Sequence, residues 1–356
     1  MNIIKGAAES FHIKMNFPLI RHIAIVVLLC AAALRCLGQE SQDRSSYSFL
    51  EIPYSSHAFA LGGSGIAVVD DDVTLAGSNP GLLGTELEKQ VAFNYMHYLG
   101  DSNFAGVHYA QSAGRRGAWG AGLQYLGYGS ATSFNPDGTE AGSFSMKDIV
   151  VSGIYAYDIT ERLRGGISMK MVYSSYEAYS AFAMAADLGI NYYDEEKDMS
   201  LSLALKNMGG QLKRFDREYT AVPFDIQIGW MQRIGHGPFM LAVTAWHLNK
   251  WSLPYYTHSD SGETEKKDSF FSNLMRHLVF GLQYSPSDKF YIALGYNNKT
   301  RTDMSTYKRN FLSGFSAGFG MKVKSFDLGI SYAQPHKSAS SIMVNFSMNL
   351  QELLRK

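Results

Sequence analysis

The chain has 356 residues, 46% of them hydrophobic and 18% charged, with 32 Lys and Arg balanced by 32 Asp and Glu. That balance, without a basic tract, carries no electrostatic footprint for nucleic acid. Beyond the N-terminal region no apolar run reaches the ~20 residues that a membrane helix needs, which excludes a helical membrane protein.

In chain order, residues 1–39 read as a leader and signal peptide. Arg21 and His22 precede an apolar stretch, residues 23–34, and small residues near Gly38 and Gln39 offer a cleavage point. Met15 is a more usual start than Met1. Both cysteines, Cys30 and Cys36, fall in or beside this signal, so the mature chain lacks disulfide staples and thiolate metal sites. Cys36 raises a lipoprotein site, but Arg35 before it fits poorly with the small residue expected there.

Residues 40–89 precede the first strand and mix apolar runs with turn signals. Gly62, Gly63 and Gly65 allow tight turns, Asp70, Asp71 and Asp72 form an acidic run, and Asn79-Pro80 marks a turn into the first strand. Such a segment suits a plug folded back into a barrel, since irregular backbone at membrane depth is tolerated only when buried in protein or lining a cavity. A periplasmic extension is the plainer alternative.

Residues 90–350 read as fourteen two-faced β-segments. Compact connections (residues 111–117, 158–162, 194–198, 234–237, 285–288 and 324–325) alternate with long polar ones (residues 129–145, 208–222, 249–275 and 299–310). All long pieces fall on one side, as in outer-membrane barrels with short periplasmic turns and longer extracellular loops. The even strand count leaves both chain ends in the periplasm, with residues 351–356 as a tail. Leu278, Phe280, Leu282 and Tyr284 interleave with His277, Val279, Gly281 and Gln283, a greasy face against a small or polar one. A soluble sandwich shares that alternation, but its wet face would carry more Lys and Glu. Here glycine, alanine and serine recur instead, and aromatics such as Tyr125, Tyr157, Tyr192, Trp230 and Tyr284 collect near strand ends, where an interfacial girdle belongs.

The charged strand residues Arg164, Lys170, Asp187, Lys206, Asp225, Lys322 and Asp327 fall on the polar phase and are expected to face the lumen, tying the plug. A Lys or Arg turned to lipid at mid-depth would cost ~2–4 kcal/mol. A two-residue turn at residues 324–325 sets Lys322 opposite Asp327 as a rim pair. The loop of residues 249–275, with Trp251, Tyr255, Tyr256, Phe270 and Phe271, offers aromatic anchor points to a partner.

Catalytic signals are weak. Gly314-Phe315-Ser316-Ala317-Gly318 matches a nucleophile elbow formally, but that motif needs a strand, a sharp turn and a helix, and here it lies within alternating Phe315, Ala317 and Phe319. The ten histidines show no metal-ligand spacing, and the Asp70–72 run lacks the EF-hand pattern. Neither cofactor nor metal is expected.

The runs Phe49-Leu50-Glu51-Ile52-Pro53, Ala60-Leu61-Gly62-Gly63, Asp70-Asp71-Asp72 and Asn79-Pro80-Gly81-Leu82-Leu83 resemble the N-terminal region of the PorQ-like outer-membrane proteins of the type IX secretion system of Bacteroidetes. Val91-Ala92-Phe93-Asn94-Tyr95 and residues 103–110 look like their first hairpin. The Gly-Gly and Asn-Pro elements are also similar to the wider FadL-like group, PorV included. The resemblance implies an all-β, fourteen-stranded, plugged barrel without catalytic role. It further implies an attachment complex with PorU, PorV and PorZ, in which PorU joins cargo to anionic lipopolysaccharide and this chain holds a PorZ-like protein at the surface. The alternative is a FadL-like transporter of hydrophobic small molecules, and a lipid hydrolase using Ser316 is the third reading.

Overall fold

A computed structural model describes residues 47–135, 137–177, 179–215, 219–253, 255–259, 262–266, 269–303, 311–336 and 339–354. Met15, Cys30, Cys36 and the expected cleavage point lie outside the described residues.

The wall is built from β1 (Gln90–His97), β2 (Asn103–Ser112), β3 (Gly117–Phe134), β4 (Glu140–Asp158), β5 (Leu163–Tyr176), β6 (Tyr179–Asp194), β7 (Met199–Lys213), β8 (Asp225–Arg233) and β9 (Phe239–Ala245). After the hairpin β10 (Tyr255–Ser259) and β11 (Gly262–Lys266), which forms its own sheet, the wall resumes with β12 (Leu278–Ser287), β13 (Phe290–Asn297), β14 (Phe315–Val323), β15 (Phe326–His336) and β16 (Ala339–Asn349). Each of the fourteen wall strands pairs antiparallel with its neighbours, and β1 closes on β16 with Phe93 opposite Phe346. Closure leaves no open sheet edge around the ring, the condition for a sheet to stand in hydrocarbon.

The two faces have inverted polarity relative to a soluble protein. Leu294, Val151 and Met171 point outward and are 50–53% exposed, whereas Ser168, Asp187, Asn191 and Gln283 point inward and are buried. Hydrocarbon outside and polar groups inside account for both. Among the described residues no helix is long and apolar enough to cross a membrane.

The wall is uneven in height. β3 to β7 run 14–19 residues, whereas β8, β9, β12, β13 and β14 run 7–10. Where the tall and short halves meet, β7 carries a bulge. Ala186 opposes Met208 and Leu188 opposes Leu205, and Asn207 between them has φ +57°.

The bore is filled by the chain's own N-terminal segment. Tyr47 sits in the loop-side half, where Tyr47, Phe49, Leu50, Ile52 and Tyr54 pack against Met96, Phe104, Leu126, Val150 and Val172. The segment then descends through the helix Ser56–Ala60 and the turns Val73–Gly77, Pro80–Leu82 and Thr85–Leu87. At the turn side Val73, Leu83 and Leu87 meet Ala110, Ala118, Ile154 and Ala156. The barrel's two ends, at Gln90 and Asn349, both lie on the turn side, but the described chain begins near the loop side. The tail after β16 forms a short helix, Leu350–Leu354.

Candidate functional site

The polar residues of wall and plug converge on the turn-side half of the bore. Ser55 caps the helix Ser56–Ala60, accepting from the His57 amide at 3.2 Å, and donates its hydroxyl to Asp72 at 2.8 Å. Asp72 in turn caps Val73–Gly77 through the Thr74 amide. This double cap places His57 against the wall, with Nδ1 3.1 Å from Asp70 and Nε2 2.7 Å from Gln283 Oε1, its ring stacked 3.9 Å from that of Tyr291. Lys322 Nζ donates to Asp70 at 2.6 Å and Asp71 at 3.2 Å.

The expected rim pair is therefore corrected. Lys322 and Asp327 are register partners, but the ammonium turns inward to the plug, where two carboxylates offer more than one neighbour across a hairpin. Burial alone would raise the Asp70 carboxyl; His57 and Lys322 beside it hold it well below the usual carboxylate range. Asp72 lacks such cations, and burial raises it despite the Thr74 and Ser55 hydrogen bonds.

Further links fasten the plug around the ring. Arg164 donates to Glu86 through both terminal nitrogens, at 2.8 and 3.1 Å, and through Nε to Asp158 at 2.6 Å. Gln90 donates to the Asp71 carbonyl at 2.6 Å and accepts from the Val73 amide at 2.8 Å, and Asn345 donates to Thr74 at 2.9 Å.

Asn79 donates to the Ile66 carbonyl at 2.9 Å and accepts from the Gly81 amide at 2.8 Å. It lies against the wall at Gly189, where any Cβ would fall 1.8 Å from its oxygen. The Asn79-Pro80 step does form a turn, Pro80–Leu82 capped by Asn79, and packs on the wall; a further turn, Thr85–Leu87, then leads into β1. Gly62 and Gly63 do adopt positive φ, +99° and +91°, and the Gly62 carbonyl accepts from Asn297 at 3.1 Å.

Higher in the bore, Lys170 and Asp187 form a buried pair at 2.6 Å. Lys170 also donates to Asn207 at 3.0 Å, and the Asn207 amide donates to Asp187 at 2.7 Å, so the pair and the β7 bulge stabilise each other. Lys206 and Asp225, register partners, line a small chamber with Glu51, Gln227 and Trp246. Asp225 is engaged by the Gln227 side chain and the His247 amide, each at 2.6 Å. Burial pushes the Glu51 carboxyl up to about 6, with Lys299 opposing it.

Below the plug lies a cavity of about 550 Å3, lined among others by His57, Asp70, Arg164, Arg233, Gln283 and Lys322. It forms a polar vestibule on the turn side. Ser316 lies within β14 and donates to the Ala60 carbonyl at 2.8 Å, so the elbow-like run serves as another plug contact. Among the described residues no group of three His, Cys, Asp or Glu is arranged to hold a metal. On the loop side Trp251 stacks on His277 and meets Phe270, both at 5.3 Å, while Phe270 and Phe271 project from the helix Phe270–Arg276. Tyr255 and Tyr256 belong to β10, and their side chains lie outside the described residues. His57, Glu86, Gln90 and Asn345 were not singled out from sequence. His57 alone gave a signal, as a titratable residue directly before the apolar run Ala58-Phe59-Ala60-Leu61.

No protein-family model matches the chain, and no curated protein matches it. Solved structures do. The toluene transporter TodX of Pseudomonas putida superposes with TM-score 0.50 at 12% identity, covering 83% of this chain and 96% of its own. The toluene transporter TbuX of Ralstonia pickettii gives 0.50 at 15%, over 84% and 97%. A TodX ΔS2S3 mutant, a monoaromatic hydrocarbon channel, gives 0.54 at 13%, over 83% and 99%. At these identities the likeness is one of fold, and its neighbours are membrane channels and not enzymes. The chain shares the fold of these barrels: fourteen antiparallel strands closed around a plug made from its own N-terminal segment.

Proposed function

We propose that this chain reaches the outer membrane through an export signal in residues 1–39 and there admits small apolar molecules past its plug, without catalysing a reaction. The observation carrying this reading is how the plug is held at its turn end. Separable ion pairs and hydrogen bonds, led by Lys322 with Asp70 and Arg164 with Glu86, join it to the wall above a 550 Å3 vestibule. The shared fold with toluene transporters supports the solute class, and the use of Ser316 as a plug contact speaks against hydrolysis. Uptake of radiolabelled toluene by cells with and without the gene tests it. Slower uptake on deletion, restored by the intact gene, is expected; equal uptake contradicts it.

A second reading rests on the hairpin β10–β11, which stands as a sheet separate from the wall on the loop side. It suits a barrel that holds a PorZ-like protein at the surface, with PorU and PorV in the same complex, as the N-terminal resemblance implies. Deleting Tyr255–Lys266 then releases that partner into the medium. An unchanged cell-bound fraction counts against the hairpin.

A further inference from the structure

The uneven wall leaves one side of the barrel too short for its bilayer. On β5 the outward apolar set runs from Leu163 to Tyr173; at about 3.4 Å per residue and a tilt of about 40° it climbs about 26 Å, filling the ~25 Å apolar band of an outer-membrane barrel. On β13 the outward set runs only from Phe290 to Tyr296, and the same geometry gives about 16 Å. β12 is equally brief, ending outward at Leu278. A shortfall of ~10 Å of hydrocarbon would otherwise meet polar loop or force the bilayer to thin.

Above these short strands the chain places large apolar side chains in the open. Phe311 is 79% exposed, Phe270 70% and Phe271 66%, among the most exposed large hydrophobic residues described. Phe311 stacks on Phe315 with centroids 6.1 Å apart, and Phe315 packs 4.9 Å from Tyr296. Phe315 and Tyr296 are the top outward residues of β14 and β13, so this stack continues the lipid-facing surface upward. The helix Phe270–Arg276 stands over the adjacent β12 and turns its one charged side chain, Arg276, inward to Asp303 at 2.7 Å. An apolar surface that begins where the belt stops, is continuous with it and keeps its charge inward is matched to acyl chains.

We infer that Phe311, Phe270 and Phe271, with Trp251 beside Phe270, form a collar embedded in the loop-side leaflet, completing the hydrophobic belt over β12, β13 and β14. The collar binds lipid and does not wait in water for a protein. It also accounts for why these loops are aromatic whereas the tall β3–β4 hairpin ends in mostly polar residues.

The test uses the absence of cysteine after Cys36. Phe311→Cys and Phe270→Cys variants of the full chain, each made in a Cys30→Ala, Cys36→Ala background so that the new thiol is the only one, are placed in lipid nanodiscs without other protein and treated with a water-soluble maleimide. Leu294→Cys serves as the mid-belt control and Phe134→Cys, at the tip of β3, as the water control. Labelling of both collar positions at the slow Leu294→Cys rate is expected. Labelling at the Phe134→Cys rate overturns the inference, and so does protection seen only in native outer membranes, which would assign the collar to a protein partner. A second measurement needs no new cysteine: brominated acyl chains should quench a component of tryptophan emission that Trp251→Phe removes, and no such component overturns it equally.

Discussion

The two ends of the plug are attached by different chemistry. At the loop end Tyr47, Phe49, Leu50, Ile52 and Tyr54 pack apolar on apolar against Met96, Phe104 and Val172. At the turn end Val73, Leu83 and Leu87 also pack against Ala110, Ala118 and Ile154, and there Lys322, Arg164, Gln90 and Asn345 add ion pairs and hydrogen bonds above a polar vestibule. Apolar packing has no charge to be screened or titrated, whereas partly wetted ion pairs are screened and titrate. One plug therefore carries a seal at one end and a releasable latch at the other, and its response to conditions should come from the latch.

The largest effect is expected between the two ends. Lys170→Met leaves Asp187 buried without its cation and should lower resistance to urea unfolding by about 3–5 kcal/mol, a loss in the wall and not the plug. At the seal, Leu50→Ala should weaken plug docking by about 2–5 kcal/mol. Its signature is ion conductance in planar bilayers that changes little with salt once scaled for bulk conductivity. At the latch, Lys322→Met removes charge-assisted bonds to Asp70 and Asp71 and should cost about 1.5–3 kcal/mol. Brief openings should appear, and the salt dependence of opening in the unaltered chain should shrink. Equal salt dependence in Leu50→Ala and Lys322→Met would erase the distinction between the ends.

The smallest effect is that of pH. The Asp70 carboxyl is held below its ordinary value in the docked plug, so an undocked Asp70 takes up its proton first, near pH 3.9. The Asp70 contribution to docking is complete above that pH and weakens as pH falls further, through the docked value. The raised Glu51 and Asp72 carboxyls act in the opposite sense, so the Asp70 part is the rise in openings below about pH 4, and Asp70→Asn should flatten it. A rise already present near neutrality would point to another group.

Much of the wall was legible in the sequence because a strand writes its two faces in alternate residues. Leu278 to Tyr284 and Phe290 to Tyr296 state the lipid face directly, and the short turn at Lys324 fixes the register that sets Lys322 opposite Asp327. What periodicity cannot state is which far residue a charge will choose. Lys322 and Asp70 are 252 positions apart, so a local reading paired Lys322 with its hairpin neighbour. Asn79 was legible in part: Asn-Pro marks the turn Pro80–Leu82 locally, but its wall partner at Gly189 becomes visible only when the ring closes. The bulge at Asn207 left no composition signal, since Lys206 and Asn207 look like one more alternating step. Strand heights were hinted at only by loop lengths, so the shortness of β12 and β13, from which we infer a lipid role for the loop-side aromatics, was not legible in those residues themselves.

The measurement that tests the account most directly is the conductance of the purified chain in a planar bilayer, compared with a chain lacking residues 47–86. The intact barrel should be closed at neutral pH, and the shortened one should be a wide, ohmic, permanently open channel. Equal conductance from the two, whether both closed or both open, would contradict a bore filled by its own N-terminal segment.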